Sequence, residues 1–383
     1  TEAPPAPVVC EGEPPVPASA ELSEAPSALE GVCAGDTSTL RALALTGGPL
    51  VTATRLARRG NTWSASTNVA DHAASLGSAA RASNATWTAW QTADGSFGLA
   101  KLDPSFQPAA VQTVAPTGAR LRGAYLLSAN DTSAWLASTL EREGASTAVA
   151  VHLSWGASGD GPMALYSLGE GTVEAVIADE VAQVLIRRTT GRQHTFACVT
   201  VATSALPVLV PAPTDGSPLR VVPDVALHRT SSASLEADAV AVVPRGVSVD
   251  SGPRVFVVTS GVPGDAGCAT GNCVANGAVS LLAFNPGGDV TQQPLVPRGR
   301  GVALGLSARG EPVALVNEGP RASLFTRVSS EAPTREPTPL PAVALAQLVS
   351  CGSDAWLTYT TSAAPTRIAA VPLSCVSRRA ASR

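Results

Sequence analysis

One unit recurs along the chain: a turn, an apolar strand, a polar or glycine-bearing turn and a second apolar strand. Its clearest copy spans 83–104, where Trp87 and Trp90 precede Asp94-Gly95, and Phe97, Leu99 and Leu102 follow. Asp-Gly between two β-prone runs is a strong hairpin signal. A second copy spans 131–155 around Trp135, and others span 181–201, 254–284, 312–328 and 354–373. A weaker copy begins at Leu40 and turns at Gly47-Gly48. One apolar anchor per copy gives Leu40, Trp87, Trp135, Val184, Val255, Val313 and Trp356, at intervals of 47, 48, 49, 71, 58 and 43 residues. The two long intervals are read as carrying insertions near 228–250 and 261–277.

A period of about 45–50 residues holding four short strands is the size of a propeller blade. A single four-stranded blade covers neither of its faces, so blades stack radially and bury both. Strands covered on both faces read as apolar runs, as 148–151 (Ala-Val-Ala-Val) and 255–258 (Val-Phe-Val-Val) do. Val173 to Ile177 supplies an inner strand before the fourth copy, and Leu206 to Val210 an outer strand after it. No amphipathic run of helical length separates the copies, which excludes a parallel α/β fold. The expected fold is all-β: a seven-bladed β-propeller of four-stranded antiparallel blades, with a pair of β-sandwiches as the alternative. Composition agrees. Charged residues are 15% of the chain, below the roughly 25% of an average domain. The 34 Gly and 31 Pro, without a three-residue period, belong to turns.

The expected organisation is a Pro-rich acidic segment over 1–30, partly a closing strand, one propeller over 31–375, and a basic tail over 376–383. The chain starts at Thr1 without an initiator Met, which reads as a processed, exported form with room for a lipid anchor before residue 1. No apolar run approaches the roughly 18–20 residues of a transmembrane span. Seven cysteines include no Cys-x-x-Cys pair, so zinc and thioredoxin-type redox sites are not indicated. Three disulfides and one buried thiol, Cys198, imply an oxidising compartment. Cys268 and Cys273 are close enough for a local bridge at a hairpin tip. For the others, Cys10 with Cys375 and Cys33 with Cys351 would lock the ring, Pro7 to Cys10 completing the last blade. The rival set joins Cys10 to Cys33 and Cys351 to Cys375.

The Trp-bearing strand at 83–104, ended by Leu102-Asp103-Pro104, resembles the units of secreted repeat propellers common in deltaproteobacteria such as myxobacteria; 351–375 matches more loosely. That resemblance implies a fold and an exported location, not an activity. Arg59-Gly60-Asn61-Thr62-Trp63 resembles the second half of the Asp-box turn of sialidase-like propellers, but Arg58 and Leu56 stand where its Asp and Ser belong.

Chemistry is sparse. His72, His152, His194 and His228 have no ligand-like spacing, and His152 and His194 read as hydrogen-bonded strand residues. Residues 305–310 have the wrong spacing for a nucleophile elbow and read as a turn. No cofactor or metal is expected. The net charge of −4 lacks the basic footprint of a nucleic-acid binder. The arginine groups Arg58-Arg59, Arg298 with Arg300, and Arg378-Arg379 read as solvated turns and tail. The stapled loop 261–277, with Asp265, Thr270 and Asn272, is the candidate partner loop, because a loop fixed in advance loses less entropy on binding. The expected function is a non-catalytic binding or scaffold protein of the bacterial envelope or extracellular space, a component of a larger assembly with other such proteins. The alternative is a propeller enzyme acting on a glycan or other small substrate in its central channel. An enzyme should show Asp, Glu, Arg or Tyr side chains converging there.

Overall fold

The computed structural model describes residues 26–33, 39–47, 49–56, 63–82, 85–103, 108–114, 120–154, 163–178, 181–206, 220–221, 227–249, 252–261, 277–326, 333–351, 354–360 and 368–378. Among them, strands follow one another in seven antiparallel units. The first is β1 (Ala28–Cys33), β2 (Thr39–Leu45), β3 (Leu50–Leu56) and β4 (Trp63–Ala70). The second is β5 (Ala73–Ala82), β6 (Ala85–Thr92), β7 (Phe97–Leu102) and β8 (Pro108–Val114). In the third, β9 (Arg120–Ala129), β10 (Ser133–Arg142), β11 (Ala145–Ser154) and β12 (Met163–Glu170) gain a short parallel edge strand, β16 (Arg220–Val221). The fourth is β13 (Thr172–Ile177), β14 (Ala182–Thr190), β15 (Gln193–Val201) and β17 (Leu227–Glu236).

The fifth unit has a divided inner strand, β18 (Ala239–Val242) and β19 (Val247–Ser248), both paired with β20 (Arg254–Gly261), then β21 (Gly277–Phe284). Its outer strand is the start of β22 (Val290–Leu306), which continues without a break as the inner strand of the sixth unit. There it meets β23 (Pro312–Glu318), β24 (Arg321–Thr326) and β25 (Thr334–Pro341). The seventh comprises β26 (Ala346–Cys351), β27 (Asp354–Thr360), β28 (Ile368–Pro372) and the short helix α1 (Leu373–Arg378).

The buried apolar residues show how these units are joined. They form seven clusters, and each cluster draws on two consecutive units. The seventh unit packs back on the first: Val349, Trp356 and Ile368 lie against Leu40, Ala42 and Ala44. Seven interfaces between seven units make a closed ring. The fold is a β-propeller, and all seven sequence anchors fall on the second strand of successive blades, none more than 5% exposed. Ala148 to Val151 and Val255 to Val258 are buried throughout, as expected of strands covered on both faces.

Four residues beyond four of the seven anchors stands a polar side chain that bonds to the next blade. Gln91 accepts from the Gly123 N–H at 3.0 Å and donates to the Leu121 carbonyl at 2.6 Å. Thr139 accepts from Val173 N–H at 2.9 Å, and Thr259 from Gly301 N–H at 2.9 Å. Asn317 makes both bonds to Val343, at 2.8 and 3.2 Å. Each side chain reaches the inner strand of the next blade or its approach, and so satisfies backbone groups that no neighbouring strand covers. At the seam, Gly31 N–H donates to the Gln347 side chain. Polar bonds thus fix the register between blades that apolar contact alone would let slide.

Several expectations need correction. The first strand begins at Ala28, before the end of the expected 1–30 segment. Residue 376 does not open a free tail: Val376 is 2% exposed in α1, packed with Leu373 against the last two blades. The outer strand of the fourth blade is β17, not Leu206 to Val210; Leu206 closes a 3₁₀ turn (Thr203–Ala205), and 207–210 lie outside the described residues. The long fourth interval therefore holds part of its extra length between β15 and β17, while 228–250 holds most of β17 and the divided inner strand of β18 and β19. Arg298 and Arg300 are not in a turn but in the middle of β22, because that strand serves two blades in succession. The hairpin turns at Asp94-Gly95 and at 307–310 form as expected, with Gly95 and Gly310 at φ +85° and +75°. Pro7 to Cys10, Arg58-Arg59, Cys10, Cys268, Cys273, Asp265, Thr270 and Asn272 lie outside the described residues.

Cys198 is fully buried between the fourth and fifth blades, and burial pushes its thiol up to about 12, partly offset by the nearby Arg254 charge. A thiolate is the reactive species. Labelling of Cys198 by a thiol reagent at pH 8 is accordingly expected to proceed no faster than unfolding; rapid labelling of the folded protein would contradict this placement.

Candidate functional site

The inner strands surround a central cavity of about 340 Å³. Its wall is largely aliphatic, with Leu29, Leu76, Val176, Val242 and Leu304 among the residues that line it. Glu30 of the first blade and Arg245 of the fifth form an ion pair at 2.6 Å, so a bond between non-adjacent blades lies across the channel. Arg245 is set there by the link between β18 and β19, where Gly246 N–H donates to the Val176 carbonyl at 3.1 Å. Gly246 fits because a Cβ would collide with the Phe256 ring. Arg300, placed by the long strand β22, also lines this cavity.

A larger groove of about 720 Å³ opens over blades two to four, beside the β6–β7 turn and the starts of β9 and β13. Leu76, Gly77 and Tyr125 line both this groove and the channel, so they form the partition between them. On the groove floor Arg187 pairs with Glu174 at 2.8 Å and donates to the Val240 carbonyl at 2.7 Å. Thr172 donates to Glu174 at 2.7 Å. Burial pushes Tyr125 up to about 12, with the Glu174 charge adding to the effect and Arg122 opposing it. Above the floor, Arg120 and Arg122 share one carboxylate, Glu141, at 3.4 and 3.8 Å. Across the groove, Asp94 is held below the usual carboxylate range by hydrogen bonds from Thr92 and then Ser96 within its own turn.

None of the four histidines lines this groove. His194 is hydrogen-bonded as expected, to Thr189 at 3.1 Å and the Ala237 carbonyl at 3.1 Å. His152 departs from expectation. Its imidazole is buried, neither ring nitrogen has a hydrogen-bond partner, and the ring lies 4.6 Å from that of Trp135 at 49°. β11 delivers it into the interface between the third and fourth blades, where apolar packing leaves no acceptor. His72 and His228 are exposed. Among the described residues no group of three or more His, Cys, Asp or Glu could hold a metal ion, and no helix is long and apolar enough to cross a membrane.

Burial holds the His152 pKa below its ordinary value, so the folded state binds fewer protons than the unfolded chain under mildly acidic conditions. Stability is then unaffected well above the unfolded pKa near 6.5. It falls as pH drops through that value, by at most about 1.4 kcal/mol per pH unit, until the folded pKa is reached. His152→Leu is expected to flatten the dependence of the denaturation midpoint on pH between 7 and 5. Equal slopes for both proteins would refute this.

Sequence reasoning missed the groove. Its charged residues sit at strand starts and ends on different blades, separated by up to about 90 positions, and no local motif joins them. The polar residues four beyond the anchors were the available signal, since Gln91 and Thr139 both line it.

The sequence matches no protein-family model and no curated protein. Among solved structures, polysaccharide lyase Uly1 is similar with a TM-score of 0.55 at 9% identity, over 92% of this chain and 91% of that one. The β-propeller domain of Cps50 (Swd1) from Myceliophteria thermophila gives 0.50 at 9% identity, over 91% and 97%. What is shared is the fold. Identities this low carry no activity from one chain to another.

Proposed function

We propose that this chain is a non-catalytic binding protein of the cell envelope or extracellular space, a component of a larger assembly that recognises its ligand in the groove over blades two to four. The observation that carries this reading is the state of the ionisable groups there. General acid–base catalysis needs a group that titrates near the working pH. Tyr125 is pushed up to about 12, Asp94 is held down, and the histidines are elsewhere. The other charged groups there, Arg120, Arg122 and Arg187 with Glu141 and Glu174, stand in ion pairs and hydrogen bonds, an arrangement suited to recognition. The channel does not share this character: Glu30, Tyr125, Arg245 and Arg300 converge on its otherwise aliphatic wall, the arrangement expected of an enzyme.

The convergence of Tyr125, Glu174, Arg187 and Arg122 beside the channel favours the second reading, a propeller enzyme on a glycan or other small substrate. Recovery of partners from the native organism, by wild-type protein and by an Arg120→Gln/Arg122→Gln variant, tests the first. Specific partners lost with the groove charges are expected; turnover of a substrate by the isolated protein would overturn it.

Export is supported by Cys33, which is disulfide-bonded, a state that belongs to oxidising compartments. Its pairing with Cys351 is part of the same proposal. The inner strands β1 and β26 face each other at the seam with Gly31 against Val349, and Cys33 and Cys351 each stand two residues further on. Non-reducing peptide mapping should join the peptides carrying Cys33 and Cys351; a Cys10–Cys33 bridge would replace this assignment with the local set.

A further inference from the structure

We infer that the groove over blades two to four binds a sugar acid: a polyhydroxylated ligand carrying a single carboxylate per ring. This rests on the binding reading above and names its ligand. The argument begins with charge. On the floor, Arg187 and Glu174 compensate each other at 2.8 Å. On the rim, Arg120 and Arg122 face one carboxylate between them, so one positive charge is left over at that place. Asp94 brings the formal sum of the groove to zero, but it lies across the groove and its oxygen is engaged by its own turn.

Hydrogen-bonding capacity points the same way. The Arg120 and Arg122 side chains are 85% and 78% exposed, and their contacts to Glu141, at 3.4 and 3.8 Å, are too long to occupy a guanidinium fork. Two adjacent forks with spare donors suit a ligand carboxylate, which accepts bidentate bonds from arginine. Glu141 and Glu174 impose a second requirement. Each already has an arginine counter-charge, and Asp94 lies across the groove, so a ligand ammonium would find no unbalanced carboxylate beside the arginines, whereas the remaining lone pairs of Glu141 and Glu174 can accept from neutral hydroxyls. An inorganic anion meets the first requirement and fails the second; a neutral sugar does the reverse. A volume of about 720 Å³ leaves room for more than one ring.

Calorimetric titration with trigalacturonate, galacturonate and neutral maltotriose tests the assignment. Trigalacturonate is expected to bind, more weakly as salt is raised, and maltotriose not to bind. Galacturonate binding as well as the trimer would identify a free sugar acid as the source; preference for the trimer would identify a polymer. Arg120→Gln/Arg122→Gln should weaken binding about tenfold or more. Glu141→Gln should strengthen it, because it removes the competitor for both arginines, and a gain cannot arise from misfolding. No binding of either acidic sugar, equal binding of maltotriose, or indifference to all these substitutions would overturn the assignment. Cleavage of trigalacturonate would support the ligand and overturn the non-catalytic reading, so the two fail separately.

Discussion

Trp135→Ala is expected to lower stability by about 3–5 kcal/mol, the usual range for removing a buried large aromatic side chain. Trp135 is 5% exposed in the interface between the third and fourth blades, where its ring meets His152 at 4.6 Å and Tyr166 at 6.0 Å. Truncation opens a cavity that rigid strands on both sides cannot collapse to fill. It also lets water reach the His152 ring, so the acid sensitivity attributed to that residue should diminish. The combined variant Trp135→Ala/His152→Leu is therefore expected to be non-additive. Denaturant midpoints at pH 7 and pH 5 measure both effects. A loss below about 1 kcal/mol would mean the blade interface tolerates the gap.

Gly77→Ala is the second large effect expected. A Cβ at position 77 would fall inside the Ala124 carbonyl and within 3.0 Å of the Ala89 carbonyl oxygen, so β5 and β9 could not keep their close approach. Neither obstruction is a side chain that can turn aside. Overpacking of this kind costs about 1–3 kcal/mol and occasionally more. Because Gly77 belongs to the partition between groove and channel, ligand affinity should fall with it. Gly287→Ala supplies the contrast: nothing lies within 4 Å of its Cβ, and its φ is outside the left-handed region. There the loss of unfolded-state freedom should leave stability unchanged or raised by about 0.4–1 kcal/mol. Thermal or chemical denaturation of the two variants side by side decides the matter; similar stabilities would refute the close-packing argument.

The anchors were legible because burial on both faces requires apolar side chains at the same place in every blade, and a fixed blade length repeats that place. Trp87, Trp135 and Trp356 therefore announced three second strands, and the smaller Leu40, Val184, Val255 and Val313 completed the set. Cys198 was legible for the same reason, as a small apolar residue in a covered strand. His152 was misread because local alternation with apolar neighbours identifies a strand position without showing whether a hydrogen-bond partner lies across the next interface. β22 was misread because turn-like residues, Pro294, Pro297 and Gly299, stand in a strand that crosses from one blade to the next.

Sequence by itself determined the class of structure, the blade period and the residues that fill the space between blades, since each of these depends on hydrophobicity repeated at a regular spacing. Tertiary structure alone decided which charges meet. Glu30 meets Arg245 only because the ring brings the first and fifth blades to one axis; Glu141 with Arg120 and Arg122, and Glu174 with Arg187, are neighbours on paired strands within one blade, and the ring sets those two blades side by side on one face. Electrostatic partnership depends on distance in space, and in a closed ring that distance has no counterpart along the chain.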